Sequence, residues 1–414
     1  MLDWLIIGGG LHGTTIHGAL TRVDSGFTIR VVDPFDTPCY SWFKRTDACA
    51  MRMMRSPAAH TALEDFTGLM RFARNEGYDL GQHTTPPYAR PSTELFNRYL
   101  QTATTSHRLA SDWLRGWAID LRREDDAWTV SLDEGKTVRS RAVVLCVGRG
   151  HSHAADDQGL ERPSWARTPS IVHVFDPGFD RARLERSRRP VIIGGGTTAL
   201  HLALHLGNAS RPCTVVTRHP LRCAQFDSDP CYIGPKCMRG FIETTDPEER
   251  RRMIDAARNP GTVPPDLLAH VRDAERETAI RVTVDTVERV EGAREGDSAS
   301  LSLVGRDTTF DADQVCVATG FADSVPAATL LARAAASVHP DRCARYDSRG
   351  IPVPGKTLEW LPGLYLSGIL AEQELGPSAP NIIGAQNAAK RLTSAICGRV
   401  RPIPSAWRRY ASIR

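Results

Sequence analysis

Trp4-Leu5-Ile6-Ile7-Gly8-Gly9-Gly10-Leu11-His12-Gly13, continued by Thr14 to Leu20 and then by Phe27 to Asp33, is the stretch that decides the fold. Four apolar residues in unbroken succession predict a strand buried on both faces. The glycines then follow GxGxxG spacing, a helix-like run comes next, and a second strand ends on an acid. Strand, glycine turn, helix, strand and acid together form the dinucleotide-binding fingerprint. Gly8 allows the tight turn, Gly10 lets the backbone approach a pyrophosphate, and Gly13 lets helix and strand pack closely. The helix that follows offers free N–H groups and a positive dipole end to the phosphates, and Leu11 and His12 of the loop join the expected FAD contacts. Asp33 can accept both hydroxyls of a ribose and would repel a 2′-phosphate, so this loop suits FAD or NAD rather than NADP.

The pattern occurs again further along. Pro190-Val191-Ile192-Ile193 predicts a strand, Gly194-Gly195-Gly196-Thr197-Thr198-Ala199 is GxGxxA, Leu200 to Leu206 is helical, and Thr214-Val215-Val216 is the next strand. Here the strand runs into Thr217-Arg218-His219. A guanidinium at that place can fork onto a 2′-phosphate through charge-assisted hydrogen bonds, so the second loop reads as an NADPH site. Two strand–glycine turns, Ala142 to Gly148 and Asp313 to Phe321 with its Thr319 and Gly320, predict crossings between two units that run past both cofactors. The expected architecture is α/β, with two Rossmann-like dinucleotide-binding domains. Residues 1–187 and 319–414 form a discontinuous FAD domain into which residues 188–318, the NADPH domain, are inserted.

Composition narrows the function. The chain has 414 residues, 41% hydrophobic and 24% charged, with 52 Lys and Arg against 48 Asp and Glu. A net charge of +4 excludes a polyanion binder driven by bulk charge, and no nucleic-acid partner is expected. No stretch approaches about 18 apolar residues, so no membrane partner is expected. The ten cysteines contain no CxxC pair, and with no signal peptide a reducing cytoplasm is the simplest compartment. Cys146 and Cys316 read as small core residues. His151 with His153, His201 with His205, and Cys223, Cys231 and Cys237 do not complete a metal set, so no metal is expected. There is no GxSxG elbow for a serine hydrolase. Asp120 to Val144 reads as an antiparallel meander. Glu248 to Arg258 and Leu267 to Glu277 read as amphipathic helices, Glu291 to Ser298 as a polar loop, and the Arg-rich Arg399 to Arg414 as a solvated end.

On these motifs the chain resembles the two-dinucleotide-fold flavoprotein monooxygenases, closest to the branch that N-hydroxylates lysine or ornithine side chains. Both glycine loops and Ala318-Thr319-Gly320-Phe321 match the shared pattern. Arg90 to Leu100 is similar to that branch's Arg/Pro-rich segment leading into a Phe…Tyr-Leu helix. Ile171 to Phe175 places His173 where such enzymes carry a His. Gln225 to Pro230 is similar to an Asp-rich loop facing the active site. Glu374 to Gly384, with Asn381 and Ile382, resembles the turn that opens the last helix beneath the flavin. Gly148 and Gly368 join the expected FAD contacts. The Gly-Asp that many relatives place before the last helix is absent, since the chain reads Leu366-Ser367-Gly368-Ile369.

The resemblance implies FAD, NADPH and O2, and hydroxylation of a nitrogen of a small amine or amino acid through a peroxyflavin. Arg55, His173, Gln225 and Asp227 are the catalytic candidates. The Cys-, Met- and Arg-rich stretch Trp42 to Pro57 is expected beside the isoalloxazine, with Met51, Met53 and Met54 read as packing. Oxidase or reductase chemistry without oxygen insertion, S-oxygenation, and a flavin-binding sensor are the competing readings. The sequence leaves the amine and any homo-oligomer open.

Overall fold

The computed structural model describes residues 1–62, 65–106, 109–150, 159–166, 170–292, 301–339 and 344–397. His151, His153, most of the expected polar loop and the Arg-rich end lie outside the described residues.

The unbroken apolar runs become parallel strands covered on both faces. Leu2–Ile7 lies between Ile29–Asp33 and Thr137–Leu145, with Ile6 opposite Val31 on one side and Val144 on the other. Outside these lie Trp113–Arg115 and Leu364–Leu366, both parallel to their neighbours, and Glu359–Leu361 closes the edge. Thr137–Leu145 serves twice: its first half pairs antiparallel with Ala127–Leu132, and its second half joins the parallel sheet. The meander is therefore an extension of the first sheet. The helices Leu11–Val23 and Ile382–Ile396 cover it. Leu5, Ile6, Ile16, Leu20 and Trp128 are fully buried in the resulting core.

The second sheet orders Ile280–Val284, Cys213–Thr217, Pro190–Ile193, Gln314–Val317 and Ile171–His173, all parallel. Its edge strand, Ile171–His173, precedes residue 188, so this unit takes in chain that the sequence assigns to the first. A strand of three residues between turns carries too little pattern to be read locally. Thr197–Asn208 and Pro265–Arg276 pack on this sheet through Leu200, Ala203, Leu268 and Val271. A three-stranded antiparallel sheet, Val287–Glu291, Leu301–Gly305 and Thr309–Ala312, lies beside it. The expected helices are present as Pro247–Ala257 and Pro265–Arg276.

Cys146 and Cys316 are core residues. Cys231 and Cys237 are joined by a disulfide across a separation of six residues, a pairing that spacing without CxxC did not signal. Among the described residues no helix is long and apolar enough to cross a membrane, and no group of three metal-ligating side chains is present.

Candidate active site

Both glycine loops open on one cleft of about 1780 Å³ between the two units. That exceeds the roughly 300–1,000 Å³ of a site for one small ligand, as two extended dinucleotides would require. Three helices start at its wall: Leu11–Val23 after Gly10, Thr197–Asn208 after Gly196, and Ile382–Ile396 after Asn381. All three N-caps line the cleft, and none makes a side-chain capping bond. Uncapped helix N-termini offer N–H donors and positive dipole ends to anions.

The first loop is tightly built. Gly8 has φ of +103°, and a Cβ there would stand 2.5 Å from the Cys146 carbonyl oxygen. A Cβ on Gly13 would fall 1.9 Å from the Gly8 oxygen, whereas one on Gly10 would meet nothing within 4 Å. The open space at Gly10 is the cradle that a pyrophosphate needs, so the residues present fit an FAD. Asp33 lines the cleft, its Oδ2 accepting from Gly9 N at 2.6 Å and its Oδ1 from Phe35 N at 3.0 Å. Burial nonetheless raises its pKa above the usual value. His12 Nδ1 is 2.8 Å from Ser367 Oγ, and burial lowers the imidazole to about 4, leaving it neutral. It thereby ties the first loop to the segment that lacks the Gly-Asp acid.

The second loop repeats the construction. Gly194 has φ of +135°, and a Cβ there would lie 2.4 Å from the Ala318 oxygen, while Gly196 has open space before it. Arg218 lines the cleft with its side chain 67% exposed, and its Nη2 stands 3.5 Å from Glu161 Oε1. Glu161 is held to the crossing turn by its N–H donating to Gly320 O at 3.1 Å and by its carbonyl accepting from the Thr319 hydroxyl. Arg45 stands between the units. Its guanidinium lies 4.8 Å from the Phe321 ring centroid and 5.5 Å from that of Phe175, and it donates to the Arg149 and Gly150 carbonyls. Burial brings Arg45 down to about 10. Gly150 makes the fit: a Cβ there would lie 2.4 Å from Phe321.

Most residues expected from the sequence meet at this cleft. Gly8, Gly10, Leu11, His12, Asp33, Gly148, Gly368 and Asn381 line it from the first unit, Gly194, Gly196, Thr197, Thr198 and Arg218 from the second, and Thr319 and Gly320 from the crossing turn after Gln314–Val317. Gly13 and Ala199 do not: they sit behind the loops as packing positions, Ala199 fully buried. Ile382 is buried in the cluster holding Met54 and Phe96 rather than in the cleft wall.

The catalytic candidates separate. Asp227 is exposed to the cleft, with Oδ1 accepting from Asn381 Nδ2 at 3.2 Å. Arg55 lines the cleft, but its donors go to the Gln225, Thr262 and Ala224 carbonyls and to Thr262 Oγ1. Gln225 contributes its backbone carbonyl there and its side chain is absent from the lining. His173 is 1% exposed at the end of its strand, with Nδ1 accepting from Phe175 N at 3.1 Å, and burial lowers it to about 4. His173 therefore packs the second unit and lies off the cleft.

Arg45 and Glu161 were missed by sequence reading. Arg45 lies within the stretch expected beside the flavin, which was its only signal; nothing in the sequence marks Glu161.

Residues 5–150 match a family model described as FAD-NAD(P)-binding. A curated relative, neopentalenolactone D synthase of Streptomyces avermitilis, is 23% identical over 250 residues, covering 56% of this chain and 38% of the relative. The chain thus spans little more than a third of that relative's length. The fold is that of known flavoprotein monooxygenases. A cadaverine monooxygenase of desferrioxamine biosynthesis from Erwinia amylovora, bound to FAD, superposes with a TM-score of 0.73 at 14% identity, over 98% of this chain and 96% of that one. An ornithine N-hydroxylase from Kutzneria sp. 744, with reduced FAD, NADP+ and L-ornithine, gives 0.73 at 15% identity over 96% and 99%.

Proposed function

We propose that this chain is an FAD-dependent, NADPH-using monooxygenase that hydroxylates a nitrogen of a small amine or amino acid. The observation that carries the reading is one cleft faced by two glycine loops, the first ending in Asp33 and the second in Arg218. Bound FAD would supply the redox chemistry, taking a hydride from NADPH and passing electrons to O2.

The protein's part is holding and shielding. The first turn of Leu11–Val23 holds the FAD pyrophosphate at Gly10, and Asp33 takes a ribose. Thr197 and Thr198 hold the pyrophosphate of NADPH, and Arg218 takes its 2′-phosphate. Phe175 and Phe321, stacked with centroids 5.6 Å apart, form an apolar part of the wall and keep water from the reduced cofactor. Asp227, steadied by Asn381, presents a carboxylate to the cationic end of an amine. A cytoplasmic location fits this use of NADPH.

The test is NADPH-driven oxygen uptake by the FAD-loaded enzyme with a panel of diamines, amino acids and thiols. A hydroxylamine product from one amine, with a flavin spectrum intermediate between oxidised and reduced that this amine discharges, is the expected result. Stoichiometric hydrogen peroxide with every compound would replace this reading with an oxidase. A sulfur product would move the oxygen insertion to a thiol.

A further inference from the structure

Arg55 begins from a rigid base in the first unit. Met54 N donates to Pro91 O at 2.9 Å, Thr93 N to Arg52 O at 2.9 Å, and Met53 bridges Ser92. Arg90, 2% exposed, donates to Met54 O at 3.2 Å and pairs with Asp266 at 2.7 Å on the helix Pro265–Arg276 of the second unit. The loop before Arg55 therefore has little freedom.

From this base the side chain crosses to the second unit. Nε donates to Gln225 O at 3.0 Å, Nη1 to Thr262 O at 3.1 Å, and Nη2 to Ala224 O at 2.7 Å and Thr262 Oγ1 at 2.8 Å. Ala224 and Gln225 follow the strand Arg222–Cys223, and Thr262 opens its parallel partner Thr262–Val263. The Thr262 carbonyl also receives Thr197 Oγ1, at 3.4 Å, from the start of the second loop's helix. On one side of the guanidinium the chain runs through Asn259 to Thr262 along the cleft wall; on the other it reaches Asp227 two residues after Gln225. A planar fork with five fixed donors can serve all four acceptors at once, and an ammonium cannot.

We propose that Arg55 is a positioning residue: it fixes the Asn259–Thr262 wall and the strap carrying Asp227 against the first unit, and so sets the separation of the two cofactor sites. This rests on the FAD and NADPH reading for its kinetic consequence, and on geometry alone for the clamp. Carbonyls left without a donor in a partly buried place loosen the segments that carry them.

Arg55→Lys and Arg55→Met, loaded with FAD, test it. Amide hydrogen exchange of residues 222–228 and 259–263 reads the clamp without turnover. Anaerobic reduction by NADPH separates the limiting hydride-transfer rate from the apparent Kd. Faster exchange confined to those two segments is expected, with residues 2–33 unchanged. The limiting rate should fall on the order of 10- to 100-fold, as for a donor misplaced by a fraction of an ångström to an ångström. The NADPH Kd should be little changed, and the Lys variant should lie between wild type and Met. Unchanged exchange in the Met variant overturns the clamp. A limiting rate equal to wild type, or a Kd that absorbs the whole loss, overturns its role in hydride transfer. If wild-type enzyme is not reduced by NADPH while exchange still rises in the variant, the functional reading fails and the clamp stands. Should Arg55→Met not fold, Thr262→Val removes one acceptor; faster exchange at 222–228 supports the proposal and wild-type exchange sinks it.

Discussion

The two glycine units repeat each other closely up to the second strand and then diverge. In each, the first glycine takes a positive φ and packs on a backbone carbonyl that follows the neighbouring strand, Cys146 in one and Ala318 in the other. In each, the third residue of the motif leaves open space for a phosphate. The difference lies at the strand end. Asp33 is locked by two backbone N–H groups, whereas Arg218 is two-thirds exposed and stands 3.5 Å from the Glu161 carboxylate. Under the proposed function, a preset acid suits a resident FAD, whose site has its geometry fixed beforehand, and a solvated base suits an NADPH that must come and go.

The largest expected effects come from the first unit. Gly10→Val should leave the apoprotein's melting temperature unchanged, because its Cβ meets nothing, yet abolish FAD retention on a desalting column. Gly13→Ala should do both kinds of damage, since the new methyl would strike the Gly8 carbonyl; overpacking costs roughly 1–3 kcal/mol or more and would show as a lower apo melting temperature. If the two variants behaved alike, the division between cradle and packing glycine would be wrong.

Acid should treat the two units equally. His12 and His60 in the first, and His173 and His201 in the second, are brought down to about 4 by burial from an ordinary value of 6.5. Groups kept neutral in the fold contribute stability that is fully present above 6.5 and is lost as pH falls from there towards 4. Urea midpoints should therefore drop over that window with one transition. Two separated transitions would show that the units differ in acid sensitivity after all.

Arg218→Ala tests the second strand end. A charge-assisted hydrogen bond contributes about 1.5–3 kcal/mol. At about 1.4 kcal/mol per decade, NADPH should bind roughly tenfold to a hundredfold more weakly, with NADH little affected. Equal loss of both in titration calorimetry would assign the 2′-phosphate elsewhere. The smallest effect belongs to Glu161→Gln. It removes the carboxylate that competes for Arg218, and exposed pairs contribute at most about 1 kcal/mol, so NADPH should tighten by up to about fivefold. Weaker NADPH binding would mean that Glu161 orients the guanidinium rather than competing for it.

The sequence alone determined what depends on short, ordered patterns. Gly8, Gly10, Gly13 and Asp33 are fixed by the geometry of one strand–turn–helix, and Gly194 to Arg218 by the same geometry repeated, so loops and sheet direction could be read from spacing. Tertiary structure decided everything that depends on which distant group a side chain meets. An arginine in a Met-rich stretch expected beside the flavin reads as a catalytic candidate; only the positions of Ala224, Gln225 and Thr262 make Arg55 a clamp. His173 reads as a site residue by its place in the chain, and the packing of Ile171–His173 on Gln314–Val317 puts it in the core. Glu161 acquires its place opposite Arg218 because its backbone bonds the Thr319 hydroxyl and the Gly320 carbonyl, more than 150 residues away. Local motifs constrain backbone conformation, which the chain encodes within a few residues; the partner of a hydrogen bond is set by chain closure over long separations, which no local pattern records.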